Sequence, residues 1–359
     1  MFKSGPAAFA FDDAYFEALN AARPLAKVAG LQLYEGAQLE RHAAKSEDIG
    51  FQQFLGKAYE ALLLRDALRR YGLPRRFERA LDIGSGPALQ SRLLKASGAV
   101  RHAEALDIYD ATGRCGEARF WRFTAGLLAL HAGLRLMPDL PRLRKLPLGV
   151  EEFSVRPAGR SLTFVPRPGR SLDRYIVGDV FDVGGQYDLV TSFMALDYFD
   201  FEKIARKVSA ILSPGGVFAF IVSYWWYPVN NSLLFGRFPY LLQRLPPDEA
   251  LRYYREVHPE LSMSGIERRL GYSDQKRLTV TEYQEQALQA RLMPVAAVRL
   301  HPDPWRNARA VLGPLSIDRR PGATLAQVLA DARRWKPVLQ LEDLLTSHVL
   351  MVFRKLAHE

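Results

Sequence analysis

A glycine-rich turn is the feature of this chain best suited to bind a ligand. It lies in residues 80–88 (ALDIGSGPA), where Gly84 and Gly86 follow a short apolar run that predicts a buried strand. Glycines at such a turn let a ligand approach the backbone closely, and the N-terminus of the next helix presents unpaired N–H groups. Similar turns occur in many α/β proteins without a ligand. The charged residues beside the turn therefore have to indicate whether it binds a ligand, and of which kind.

Two carboxylates supply those charges. Asp82 lies two residues before Gly84, where it would repel a pyrophosphate and suits a cationic or zwitterionic ligand. Asp107 closes the next predicted strand, at the spacing of the acid that binds ribose hydroxyls in nucleotide-binding βαβ units. The dinucleotide fingerprint itself fails, because its third glycine would fall on Leu89.

Alternating strands and helices must position these residues. Apolar patterns predict strands at 79–84, 103–109, 174–180, 187–193, 217–224, 294–300 and 348–354. Helices are predicted at about 50–71, with at least one more before it, and at 89–96, 201–212 and 281–292; residues 213–216 read as a turn. This order predicts a doubly wound, mainly parallel, seven-stranded α/β sheet.

The length of 359 residues is explained by additions to one core. We expect residues 1–77 to form an N-terminal helical segment and residues 78–359 to form the core. Three cap insertions interrupt that core at about 111–173, 225–275 and 302–346. The first is rich in arginine and proline, the second is dense in aromatic residues, and the third contains a predicted helix at 325–335.

In this order, the motifs resemble those of the class I S-adenosylmethionine-dependent methyltransferases. Residues 81–86 (LDIGSG) match the first motif of the family, and residues 178–180 (GDV) match its adenine-contacting acid. Residues 187–196 and 212–218 match the motifs of its fourth and fifth strands. The resemblance covers about residues 78–110, 174–224 and 278–300, and it implies a Rossmann-like fold with S-adenosylmethionine as cofactor. Pro87 and Ala88 stand where the family usually has a third glycine.

The resemblance also implies the site residues. Cofactor contacts are expected from Asp82, Gly84, Ser85, Gly86, Asp107, Ile108, Asp179, Val180, Ser192 and Phe193. Contacts to the methyl acceptor are expected from Tyr224, Trp225, Trp226 and Tyr254, although packing of these rings onto the core explains them equally well. Candidates for a catalytic group are Asp197, Tyr198, Tyr254 and His258, with a turn or structural role as the alternative.

The predicted reaction is methyl transfer from S-adenosylmethionine to an oxygen or nitrogen atom of a small molecule that is apolar, aromatic or sugar-like. A net charge of +10 motivates an RNA methyltransferase as an alternative, and Pro87 motivates a non-catalytic scaffold. The fourth strand continues as Thr191-Ser-Phe-Met rather than N/D-P-P-Y/F, and Cys115 is not preceded by proline. Both features disfavour methylation of a nucleic-acid base.

Composition and spacing narrow the class further. The content of 48% hydrophobic and 25% charged residues is that of a globular protein. No apolar run has the length of a membrane span and the first residues do not read as a signal peptide, so we expect a cytoplasmic protein. The single cysteine and the histidine spacings predict no metal site.

Residues 119–146 place arginines around a leucine-rich centre. Peripheral contact of this segment with an anionic membrane is one interpretation. The interpretation that we favour is a helical cap with a solvated basic edge.

Overall fold

The structure is a computed structural model. It describes residues 32–35, 49–111, 114–136, 170–226, 241–246, 248–249, 252, 277–300 and 325–356. No helix within these ranges is both long and apolar enough to cross a membrane.

Eight strands and eight helices make up the described part of the chain. The strands are β1 (Gln32–Glu35), β2 (Phe77–Ile83), β3 (Val100–Asp107), β4 (Arg174–Val177), β5 (Tyr187–Phe193), β6 (Leu212–Ser223), β7 (Leu292–Leu300) and β8 (His348–Lys355). The helices are α1 (Phe51–Arg70), α2 (Leu89–Ala96), α3 (Glu117–Leu136), α4 (Phe201–Ile211), α5 (Leu241–Arg244), α6 (Val280–Gln289), α7 (Leu325–Arg333) and α8 (Leu341–Leu345). Short 3₁₀ turns at Val180–Asp182 and Leu196–Tyr198 follow β4 and β5.

The strands form one sheet in the order β1-β4-β3-β2-β5-β6-β8-β7. Neighbours from β4 to β6 are parallel, whereas β1 and β8 run antiparallel to theirs. The chain winds outward from β2 to β4, returns to the centre at β5 and then winds to the other side. This is the predicted doubly wound, mainly parallel sheet, and its switch point lies between β2 and β5, where such sheets bind ligands at the carboxyl ends of the strands.

All seven predicted strands are present, although only β5 has both predicted bounds, and two larger differences stand out. The segment 1–77, expected to be helical, contributes the additional strand β1, which pairs with β4. Strand β6 begins at Leu212, so the predicted turn at 213–216 is part of the strand. The pairing shifts register between Tyr187 and Leu189, and Gly215 has φ +74°. Tyr187 pairs with Leu212 and Leu189 with Val217, so residues 213–216 interrupt the regular pairing at the position of the predicted turn.

Helices cover both faces of the sheet because side chains alternate along each strand. Val217 and Ile221 of β6 contact the layer of α1, α2 and α3, whereas Phe218 and Phe220 contact the layer of α4, α6, α7 and α8. Helix α6 begins at a capping box in which Thr279 and Glu282 bond each other's backbone amides. The two buried layers hold the carboxyl ends of β2 to β6 at one edge, called here the carboxyl edge.

The basic segment 119–146 is described only as far as residue 136. In α3, Phe120 is buried and its ring meets that of Phe54 in α1 at 5.8 Å. Leu127 is buried as well. These contacts are those of the helical cap, and membrane contact through this segment stays a prediction.

Candidate functional site

The glycine-rich turn stands at the switch point in a left-handed conformation. Gly84 and Gly86 have φ values of +65° and +50°, which glycine adopts without strain. At Gly84 the absence of a side chain is required, because an added Cβ would lie 2.4 Å from the Cβ of Ala195. The turn therefore fits closely against the residues that follow β5.

Ala88 occupies the position where the resembling family usually has its third glycine. It is the N-cap of α2, is fully buried and has φ 58°. An alanine in this region costs about 1–2 kcal/mol. The backbone thus keeps the glycine geometry despite the substitution, and Pro87 is accommodated just before it.

Asp107 joins the end of β3 to the turn. Its Oδ2 accepts from the amide of Gly86 at 2.7 Å, and its Oδ1 accepts from the amide of Tyr109 at 3.0 Å. The carboxylate is half-buried at the carboxyl edge. A carboxylate only accepts hydrogen bonds and offers about four acceptor positions, so Asp107 suits donors such as the vicinal hydroxyls of a ribose.

Three large apolar side chains that follow strands at this edge are exposed. Ile108 comes after β3, Phe181 after the adjacent strand β4, and Tyr198 after β5 on the other side of β2, with exposed fractions of 56%, 44% and 61%. We call these residues the apolar rim. Large exposed apolar side chains at a ligand edge suit a flat, weakly polar ring.

Asp82 differs from its predicted role, because its carboxylate is buried. It accepts from the hydroxyls of Ser91 at 3.1 Å and Thr191 at 2.9 Å. Burial raises the pKa of Asp82 to about 7, against the opposing effect of these bonds and of Lys57. Asp82 therefore ties α2 to the sheet.

Several other predicted cofactor residues also face the interior. Ser192 donates to the carbonyl of Ile83 at 2.9 Å and is fully buried. Phe193 is buried in the same layer as α1, and Val180 is buried on the opposite face. Their side chains therefore pack in the interior, and their contact with a cofactor stays a prediction. Ser85 is mostly buried within the turn.

Asp179 lies at the carboxyl edge, after β4. It is exposed, and its Oδ1 accepts from the amide of Phe181 at 3.0 Å. This bond caps the 3₁₀ turn. Asp179 therefore orients the residue that contributes a ring to the apolar rim.

The predicted acceptor residues after β6 belong to the core. The Tyr224 hydroxyl donates to Asp343 at 2.8 Å and accepts from the amide of Val280 at 3.1 Å. Trp225 and Trp226 are buried edge to face at 5.0 Å, and Trp226 meets Trp335 at 5.3 Å. These contacts agree with the packing role given above as the alternative, and contact of these rings with an acceptor stays a prediction.

Two of the four catalytic candidates lie in the turn after β5, and the structure does not describe the other two. Tyr198 is exposed in the 3₁₀ turn after β5, and Asp197 belongs to the same turn. Tyr254 and His258 lie outside the described residues. Tyr198 thus shares the carboxyl edge with the turn and with Asp107.

Sequence reasoning missed a polar group beneath α1. His348, the first residue of β8, pairs with Ser223, and its Nδ1 lies 3.1 Å from the hydroxyl of Ser347. Burial, with the charge of Lys57, lowers the pKa of His348 to about 4, so the imidazole is neutral at neutral pH. Lys57 is itself paired with Glu60 at 3.0 Å. In the sequence, the sign of this polar group was the pair Lys57 and Glu60, which lie one turn apart on an otherwise apolar face of α1.

Within the described residues, no group of three or more histidine, cysteine, aspartate or glutamate side chains is placed to hold a metal ion.

The sheet order, the antiparallel β8 and the glycine turn at the switch point define a Rossmann-like α/β fold with a mostly parallel sheet. No protein-family model matches the chain, and no curated protein matches it in sequence. Its fold is similar to that of solved methyltransferases.

Three of these structures illustrate the similarity. Geranyl diphosphate C-methyltransferase from Streptomyces coelicolor A3(2) has a TM-score of 0.39 and 16% identity, over 83% of this chain and 78% of that one. Phosphoethanolamine N-methyltransferase 2 from Haemonchus contortus has a TM-score of 0.38 and 13% identity, over 86% of this chain and 60% of that one. An S-adenosylmethionine-dependent methyltransferase from Mesorhizobium loti has a TM-score of 0.37 and 14% identity, over 80% of this chain and 96% of that one.

Proposed function

We propose that this protein is a methyltransferase that binds S-adenosylmethionine at the carboxyl edge and methylates a small molecule. The observation that carries the proposal is the contact between Asp107 and the amide of Gly86 at the switch point. It places a carboxylate with acceptor capacity beside a turn whose backbone a ligand can approach.

The residues present fit the parts of this cofactor. Asp107 would accept from the two ribose hydroxyls, and Ile108 and Phe181 of the apolar rim would flank the adenine. The turn at Gly84 and Gly86 would hold the methionine part. When bound, the cofactor supplies an activated methyl group.

Electrostatics favour the same ligand. The cofactor carries a sulfonium and an amino group, so a nearby carboxylate stabilises it, whereas a pyrophosphate would be repelled. Asp82 lies directly below the turn, and a cation above it would favour its ionised form. The contribution of Asp82 is thus through-space attraction that depends on its protonation state.

We propose that the methyl acceptor is an oxygen or nitrogen atom of a small molecule. We also propose that the protein acts in the cytoplasm. The protein's task is to hold that atom in line with the methyl group and to exclude water. Such positioning can lower a barrier by about 7–11 kcal/mol at its upper limit. A basic group is needed only if the acceptor loses its proton during attack.

A labelling experiment tests the proposal. The protein is incubated with S-adenosylmethionine carrying a deuterated methyl group and with either a fractionated small-molecule extract or RNA, and products are identified by mass spectrometry. We expect a labelled small molecule to form together with S-adenosylhomocysteine, and much less of both to form with Asp107→Ala at a subsaturating concentration of S-adenosylmethionine. Label found in RNA instead, or no label in any fraction, would contradict the proposed acceptor class.

A further inference from the structure

Tyr175 of β4 has a hydroxyl that reaches from the edge of the sheet to the glycine-rich turn. It donates to the carbonyl oxygen of Gly86 at 2.7 Å and lies 3.2 Å from the carbonyl oxygen of Tyr109. It also accepts from the amide of Ala111 at 3.4 Å. One hydroxyl therefore contacts both the turn after β2 and the loop after β3.

The surroundings of this hydroxyl keep it in place as a donor. The Tyr175 side chain is fully buried in the layer of α1 and α2. Burial, with the charge of Asp107, raises the pKa of the Tyr175 hydroxyl well above its usual range. The hydroxyl therefore keeps its proton at neutral pH.

Together, Tyr175 and Asp107 hold both polar groups of one residue. The amide of Gly86 donates to Asp107, and the carbonyl of Gly86 accepts from Tyr175. Gly86 has a left-handed φ of +50° and without these bonds would have a wide choice of conformations. With both bonds in place, the turn and the carboxylate are fixed relative to each other.

We propose that Tyr175 is a positioning residue for the cofactor: it holds Gly86 so that the Asp107 carboxylate is oriented toward the ribose hydroxyls. This inference rests on the proposed function. It assigns Tyr175 no contact with the ligand, since the effect passes through the turn.

The test compares Tyr175→Phe with a matched control, Tyr187→Phe. Tyr187 is also a fully buried tyrosine, but its hydroxyl donates to Glu104 at 3.0 Å from the start of β5, at the opposite end of the sheet. Each variant keeps its ring. Tyr175→Phe loses the hydroxyl contacts with Gly86, Tyr109 and Ala111, and Tyr187→Phe loses the bond to Glu104. Thermal unfolding of both variants then measures the structural cost alone.

The ligands are S-adenosylhomocysteine and its 2′,3′-dideoxy analogue, measured by calorimetry. We expect Tyr175→Phe to weaken S-adenosylhomocysteine about tenfold, which corresponds to loss of one oriented hydrogen bond to a charged group. We expect Tyr187→Phe to change its Kd by less than about twofold. For the dideoxy analogue, the effect of Tyr175→Phe should fall to about twofold, because the hydroxyls that Asp107 would bind are missing.

The outcomes separate the two proposals. If the wild type binds S-adenosylhomocysteine but the two variants bind it equally well, the positioning role is wrong while the proposed cofactor stands. Equal losses for both ligands would mean that Tyr175 is merely structural, and would also overturn the inference. Failure of the wild type to bind S-adenosylhomocysteine would overturn the proposed function and this inference with it.

Discussion

The amide of Gly86 and the carboxylate of Asp107 are joined at 2.7 Å although 21 residues separate them in the sequence. The bond connects the ends of two adjacent parallel strands, β2 and β3, on one side of the switch point. It sets the acid and the turn as one unit, so that a ligand held by the turn has the carboxylate beside it.

The close fit of the turn predicts a large effect for Gly84→Ala. The new Cβ would lie 2.4 Å from that of Ala195 at φ +65°, so clash adds to conformational strain. We expect a loss of about 2–4 kcal/mol in the free energy of unfolding, measured by urea denaturation. Gly72→Ala is the control, because Gly72 has φ +67° and no atom within 4 Å of the added Cβ. Equal losses for the two variants would show that Ala195 yields to the new methyl group.

The left-handed alanine predicts an unusually mild effect for Ala88→Gly. Relief of strain stabilises the variant by about 1–2 kcal/mol. Loss of a buried methyl and greater freedom of the unfolded chain offset most of that gain. We expect the free energy of unfolding to change by less than about 0.5 kcal/mol. For Ala67→Gly, at a buried position of helix α1, we expect a loss of about 2 kcal/mol. Chemical denaturation measures the free energy of unfolding of both variants. A loss in Ala88→Gly as large as that in Ala67→Gly would contradict backbone strain at Ala88.

Asp82 and His348 predict opposite pH dependences of stability. The pKa of Asp82 is raised from 3.8 to about 7, so between these values the folded protein binds more protons and stability falls as pH rises. The pKa of His348 is lowered from 6.5 to about 4, so between these values the unfolded chain binds more protons and stability rises with pH.

A variant that lacks one of these two groups should show the pH dependence of stability that the other group causes. Between pH 4.5 and 6.5, we expect the stability of Asp82→Asn to rise with pH more steeply than that of the wild type, by up to about 1 kcal/mol per pH unit. His348→Gln should shift the slope in the opposite direction by a similar amount. Denaturation curves at several pH values measure both slopes, and two variants that match the wild-type slope would refute the assignment.

Periodicity predicted the sheet well because the core strands are buried on both faces and alternate with amphipathic helices. Helix α2 has the predicted bounds, and β5 does as well. The turn and Asp107 were found because their spacing is local to one βαβ unit. These are the features that short-range sequence patterns determine.

Burial at the site could not be predicted in the same way. Asp82 and Ser192 occupy motif positions, but their side chains bond within the protein because neighbouring elements cover them. Trp226 packs against Trp335, more than a hundred positions away in the sequence. Such contacts depend on which elements meet in space, and the local sequence does not contain that information.

The central claim is that Asp107 and the turn form a site for S-adenosylmethionine, and calorimetry tests it most directly. We predict that the wild type binds S-adenosylmethionine and that Asp107→Ala weakens binding at least tenfold, since bonds to a charged group contribute about 1.5–3 kcal/mol. Asp188→Ala is the matched control, because Asp188 accepts from the amide of Arg79 at 3.0 Å, near the opposite end of β2. It should leave the affinity within about twofold. No binding by the wild type at millimolar concentration, or an unchanged affinity in Asp107→Ala, would contradict the account.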